Sequence, residues 1–265
     1  MRYLDLGLTG KNAWVLGASR GLGLATAHAL LREGVSVAIS SSSPTSLAGA
    51  REELAAAGAV ATIEVDITDP AQLEAGHKRV VDLIGPIDIG VFNGGGPPTT
   101  NVLQLGMSGL DSAYSLVLRP AYQFLTLLAP SMMDNRNGVV LFVTSSGVFE
   151  PIPELGPSNI MRAGVTALMK TAASELADSG MRVLSIAPGR IATRRVQELD
   201  LKRAEQSGAS VADVAATSAA SIAMGRYGSP NEFGRVAAFI CSPAASYMHG
   251  TTVVVDGGKL KGFLA

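Results

Sequence analysis

Short apolar runs rich in β-branched residues alternate with longer stretches of helical periodicity along most of this chain. The runs fall at residues 13–16, 35–39, 59–65, 87–92, 138–144, 183–186 and 252–255, and the helical patterns at 25–33, 46–57, 71–84, 110–133, 157–177 and 231–239. Near-continuous apolar runs suit strands buried on both faces, which helices on either side of a sheet provide. Strands separated by helices imply right-handed crossovers and therefore a parallel sheet. The pattern predicts an α/β fold in which seven parallel strands form one doubly wound sheet with helices on both faces. No linker rich in Pro, Gly or charge divides the 265 residues, and there is no internal repeat, so the expectation is a single domain over 1–265.

The first run is followed by Gly17-Ala-Ser-Arg-Gly-Leu-Gly23, which opens the first helical pattern. Three glycines in a strand-to-helix turn let the backbone bend sharply and let a pyrophosphate approach the amides at a helix N-terminus, where the dipole favours negative charge. The turn is expected to make the domain Rossmann-type and dinucleotide-binding, with an ordinary βα turn as the alternative. The remaining bulk properties exclude other classes. A net charge of −1 and 5% aromatic residues give neither an electrostatic nor a stacking case for nucleic acid. Cys241 alone forms no internal disulfide, the first residues lack the apolar core of a signal peptide, and no apolar run is long enough for a membrane span. A cytoplasmic protein with no membrane partner is expected, and no metal site is foreseen.

Taken together, the glycine turn, Val65-Asp66-Ile-Thr-Asp69, Asp88-Ile-Gly-Val-Phe-Asn93-Gly-Gly, Thr144-Ser145-Ser146, Pro188-Gly189-Arg-Ile-Ala-Thr193 and the closing segments at 225–230 and 255–258 resemble the classical short-chain dehydrogenases/reductases. Within that family the chain is most similar to the beta-ketoacyl carrier-protein reductase branch, over residues 8–258. The resemblance implies a cofactor site built from Gly17, Ser19, Arg20, Gly21, Leu22, Gly23, Asp66, Ile67, Asn93, Gly94, Gly95, Arg162, Pro188, Gly189, Ile191 and Thr193. In it Asp66 accepts from the adenine amino group, while Asn93 and Gly94 border the adenine ribose. An Asp after a strand is also a common helix cap, and both Asp66 and Asp69 stand before the pattern at 71–84. An NAD-preferring site ends its second strand with a carboxylate for the ribose 2′-hydroxyl. Here that strand ends in Ser40, Ser41 and Ser42, and Arg20 stands where the resemblance puts a cation beside a 2′-phosphate. NADP(H) is expected over NAD(H), which remains possible. Leu16 and Phe92 replace the Thr and Asn usual in the family, predicting an apolar contact in place of a hydrogen bond.

The reaction site departs further from the family. Its chemistry uses a Ser, a Tyr acid or base, a Lys four residues on, and an Asn. Ser145 matches the first, but aligning Arg162-Ala-Gly-Val on the family's Lys-Ala-x-Val puts Ser158 at the tyrosine position, and the Asn position holds Val117. No tyrosine in the chain has a lysine four residues later. A serine hydroxyl is a far poorer proton donor than a phenol, and arginine stays protonated. Two readings stay open. In one, hydride passes between a nicotinamide and a carbonyl or alcohol substrate, with Ser145, Ser158 and Arg162 as the catalytic set and the proton coming from water, Glu150, Glu154 or Tyr114. In the other, the chain binds NADP without the family's activity and acts as a sensor or partner subunit.

Between Pro188-Gly189 and residue 231 the chain leaves the sheet, with helical patterns at 193–206 and 211–224; residues 190–226 read as a substrate lid with Gly208 and Gly225 as hinges. Arg190, Arg194, Arg195, Lys202 and Arg203 make its first half basic, which suits either an anionic substrate such as an acyl thioester or a solvated helix face. The loop 94–98 is expected to border substrate, opposite an apolar wall of Phe149, Pro151, Pro153 and Leu155. Small residues on the patterns at 110–133 and 157–177 suggest a second contact face. The resemblance makes it the interface of a homodimer or homotetramer, against which the tail 259–265 could tuck.

Overall fold

A computed structural model describes residues 5–262. Its strands are β1 (Asn12–Leu16), β2 (Ser36–Ser41), β3 (Val60–Glu64), β4 (Ile89–Phe92), β5 (Val139–Val143), β6 (Arg182–Pro188) and β7 (Thr252–Val255). The helices are α1 (Gly21–Arg32), α2 (Pro44–Leu54), α3 (Pro70–Ile84), α4 (Gly106–Asp134), α5 (Gly156–Glu175), α6 (Arg194–Ser207), α7 (Val211–Ala220) and α8 (Pro230–Cys241). The seven strands form one parallel sheet in the order β3-β2-β1-β4-β5-β6-β7. The order reverses between β1 and β4, so a crevice opens above their carboxyl ends, the usual ligand position in such sheets.

Both faces are buried, as the apolar strands require. On one, α1, α2 and α8 pack a core that includes Leu30, Ile39, Val91, Leu141 and Phe233; on the other, α3, α4 and α5 enclose Trp14, Phe92, Phe124, Phe142 and Met169. Leu16 and Phe92 follow the paired Val15 and Val91 and share this second layer, so an apolar cluster occupies the ends of the two strands. Strand alternation decides the fate of the serines at the end of β2. Ser40 points into the layer with Trp14 and accepts from its Nε1 at 2.9 Å, completely buried.

Helix ends are set by short polar side chains. Ser43, Asp69, Thr193, Ser210 and Ser229 cap α2, α3, α6, α7 and α8, and Ser229 forms a full capping box with Glu232. Asp69 rather than Asp66 caps α3, and its bonds with Gln72 and Ala71 hold its carboxyl below the ordinary range. At α1 the arrangement differs. Its N-cap is Arg20, no side chain caps it, and no acid occupies its first turn. No helix among the described residues is long and apolar enough to cross a membrane.

Candidate functional site

The uncapped start of α1 opens into a cavity of about 630 Å³ that runs along the carboxyl ends of the strands. Gly17 has φ +59°, and a Cβ there would stand 2.0 Å from the Asn93 carbonyl oxygen; a Cβ on Gly23 would stand 2.4 Å from the Gly17 oxygen. Only glycine lets the turn, the helix and the β4 loop come this close. Asn93 locks them together, its Nδ2 donating to the Gly17 oxygen at 2.9 Å. The amides of the first turn are thus left without partners at a positive helix end, a cradle that fits a diphosphate.

Gly17, Ser19, Arg20, Gly21, Leu22, Ser41, Ser42, Asp66, Ile67, Asn93, Gly94, Gly95, Pro188, Gly189, Ile191 and Thr193 all line this cavity. Ser19 donates to Ser41 Oγ at 3.1 Å beside the exposed Arg20. Asp66 Oδ1 accepts from the amide and hydroxyl of Thr68 at 2.8 and 2.7 Å. Two residues expected in the cofactor site stand elsewhere. Ser40 is corrected to the core, where the strand's period of two turns its hydroxyl to Trp14, and Gly23 is buried in the packing of α1 against the turn.

At the middle of the cavity, Ser145 follows β5 and caps a short turn, Ser146–Val148, accepting from the Gly147 amide at 3.0 Å. Its own hydroxyl proton is left to donate into the cavity. Ser158 lies in the first turn of α5, and Arg162 one turn later donates to it from Nε at 3.2 Å. The same guanidinium donates from Nη1 to the Val143 oxygen at 2.8 Å and from Nη2 to the Gly95 oxygen at 3.4 Å. It therefore bridges the carboxyl end of β5 and the loop after β4. Burial, with a smaller push from Arg195, lowers its pKa to about 10, which leaves it a cation at neutral pH. Val117 is buried in the core and offers no polar atom. Of the three side chains considered as proton sources, Glu154 lines the cavity; Glu150 and Tyr114 do not. Glu154 holds φ +63°, a left-handed conformation unusual for a residue with a side chain.

The far wall comes from the segment after Pro188. Arg190 pairs with the buried Asp200, whose other oxygen accepts from Tyr227 at 2.8 Å. Arg195 donates to the Pro97 oxygen at 3.1 Å, and Lys202 donates to Thr99. These bonds tie α6 to the loop after β4. Pro153 and Leu155 reach the cavity as expected, whereas Phe149 and Pro151 point out to solvent because the chain turns after Ser146–Val148. Lys259 was missed by the motifs. It lines the cavity because Gly257 and Gly258, at φ +66° and +78°, turn the chain back over the sheet. That Asp-Gly-Gly-Lys turn was its only sequence signal.

The family model described as Enoyl-(Acyl carrier protein) reductase matches residues 17–259. Oxidoreductase UcpA of Escherichia coli is 31% identical over 255 residues, covering 95% of both chains. The 3-oxoacyl-(acyl-carrier-protein) reductase of Thermotoga maritima is 29% identical over 252 residues, 95% of this chain and 98% of its own. Among solved structures, L-sorbose reductase from Gluconobacter frateurii complexed with NADPH and L-sorbose superposes with a TM-score of 0.92 at 26% identity, covering 98% of this chain and all of that one.

Proposed function

The chain belongs to the short-chain dehydrogenase/reductase family of oxidoreductases, and from that premise we propose that it is an NADP(H)-dependent enzyme acting on a carbonyl or alcohol substrate without the family's tyrosine relay. The observation that carries this reading is continuity: one cavity joins the uncapped start of α1 to Ser145, Ser158 and Arg162. Arg20, with Ser41 and Ser42 and no carboxylate at the end of β2, favours the 2′-phosphate. The solved relative complexed with NADPH supports the same choice.

A bound nicotinamide supplies the hydride. Ser145 donates to the substrate oxygen, and the fixed cation of Arg162 stabilises negative charge developing there. Ser158 holds the Arg162 Nε, so its role is positioning. The substrate oxygen would take its proton from water, with Glu154 as the carboxyl along the cavity wall that would relay it. Residues 190–226 act as the lid, hinged at Gly208 and Gly225, whose φ values of +71° and +67° only glycine adopts freely. Tyr114 and Tyr122 of α4 and Ala163 and Ala167 of α5 are exposed and suit the helix-pair interface of a homodimer or homotetramer. Single-domain organisation and a cytoplasmic location complete the proposal.

A second reading, cofactor binding without turnover, is favoured by one observation: Arg162 spends three of its five N–H donors on Ser158 and two backbone carbonyls. Titration with NADPH followed by ketones, aldehydes and ketoacyl thioesters separates the two. NADPH consumption that falls about a hundredfold or more in Ser145→Ala and Arg162→Met is expected. Tight NADPH binding with no oxidation on any of these substrates, and no effect of either substitution, selects the second reading.

A further inference from the structure

Eight lysine and arginine side chains line the cavity against three carboxylates, in a chain whose net charge is −1. Positive charge is therefore gathered here. Most of these cations already have partners: Arg162, Arg195 and Lys202 donate to Ser158, Thr99 or backbone carbonyls, Arg190 pairs with Asp200, and Arg194 pairs with Glu198. Among the described residues, the side chains of Arg20, Arg203 and Lys259 make no hydrogen bond and no ion pair. Arg20 lies at the glycine turn, where the proposed 2′-phosphate accounts for it. Arg203 and Lys259 lie at the opposite end.

The order of strands acts as a ruler. The glycine turn follows β1, Ser145 follows β5, and Lys259 follows β7. Neighbouring strands are about 4.8 Å apart, so the end of β7 lies about 10 Å beyond that of β5. Arg203 reaches the same end from α6, beside the Arg190–Asp200 pair. Both cations are partly buried. Burial is the largest influence lowering each of their pKa values, and Arg190 lowers both further; Arg203 also lowers Lys259. Asp200 and Glu154 act the other way on Arg203, as do Glu150 and Asp256 on Lys259. Like charges held together and partly shielded from water, with the nearest buried acid already committed to Arg190 and Tyr227, leave a place for an added anion.

We propose that Arg203 and Lys259 form an anion subsite that holds a carboxylate or phosphate monoester at the far end of the substrate, several bonds from the carbon that exchanges hydride. The subsite deepens the oxidoreductase reading and rests on it for the position of the reacting carbon. It makes the substrate a compound with a chain of several carbons between its carbonyl and its anionic terminus. The apolar side chains of Ile152, Leu155 and Leu199 line the cavity to receive that chain.

The probes are 6-oxoheptanoate, its methyl ester and 5-oxohexyl phosphate, titrated calorimetrically into the full chain with and without NADPH. At least one anion is expected to bind about tenfold or more tightly than the ester, and the stronger of the two identifies the terminus. Arg203→Met and Lys259→Met should each weaken that anion by about tenfold, leave the ester unchanged, and leave NADPH binding, followed by its fluorescence, intact. Lys78→Met, an exposed α3 substitution, controls for overall charge and should change nothing. Equal binding of acid, phosphate and ester, or anion binding indifferent to both cavity substitutions, overturns the subsite. Failure to bind NADPH overturns the functional reading instead, since anion binding is also measured without it.

Discussion

Single side chains do the sorting in this cavity, and sequence distance predicts their positions poorly. Ser40, Ser41 and Ser42 are consecutive, yet Ser40 is sealed against Trp14 while the next two line the site. The period of the strand separates Ser41 from Ser40, and the end of β2 at Ser41 frees Ser42 from that alternation; both were readable only once the register of β2 was fixed. In the proposed site, cofactor choice turns on Arg20. Arg20→Met should raise the NADPH dissociation constant about ten- to a hundredfold, the cost of one charge-assisted contact, and leave NADH binding nearly unchanged. Parallel fluorescence titrations check it. An equal loss for both nucleotides would show that the guanidinium does not discriminate at the 2′-position.

At the level of elements, the alternation of apolar runs and helical patterns was sufficient to place every strand and helix, with ends shifted by a few residues where caps decide. Ser43-Pro44, Asp69-Pro70 and Ser229-Pro230 start their helices earlier than the apolar pattern does, because a capping oxygen followed by proline begins a helix regardless of hydrophobicity. Less legible was the role of Arg182 at the head of β6. Its guanidinium donates to the carbonyls of Ile240, Ser242, Ala245 and Met248 at 3.0 to 3.3 Å, fastening the C-terminal end of α8 and the turn after it. Removing it takes a cationic donor from these acceptors near a negative helix end, of which Ser242 and Ala245 keep only a backbone amide each. Arg182→Met should cost about 2–4 kcal/mol and lower Tm by roughly 5–15 °C in a thermal melt, with NADPH affinity little changed. A melt within a degree of the unsubstituted chain would exclude this clasp.

For the molecule as a whole, stability and site are separable because the two core layers lie under the sheet faces while the cavity runs along the carboxyl ends of the strands. The α3–α5 layer contains a pH-sensitive member. His77 is partly buried with its ring 5.9 Å from Trp14, and burial lowers its pKa from the ordinary value of about 6.5. The folded chain then takes up this proton less readily than the unfolded chain. The stability His77 contributes is complete above about pH 6.5 and is lost as the pH falls through its lower folded value. Melts between pH 7.5 and 5 should show Tm falling with acid, and His77→Phe should reduce that fall. An unchanged slope would remove His77 from the account. The proposed tail contact falls partly on residues 263–265, outside the described residues.

The sequence by itself determined the layers, the strand count and the glycine turn. These follow from local rules: two-sided burial demands apolar strands, and a close approach of backbones demands glycine at 17 and 23. Tertiary structure alone decided which polar side chains face one another. Arg162 meets carbonyls from β5 and from the loop after β4, Glu154 enters the cavity while Glu150 leaves it, and Lys259 returns beside Arg203 from the far end of the chain. The parallel order of the sheet brings these distant segments to the carboxyl ends of the strands, and nothing in their local sequence encodes that distance.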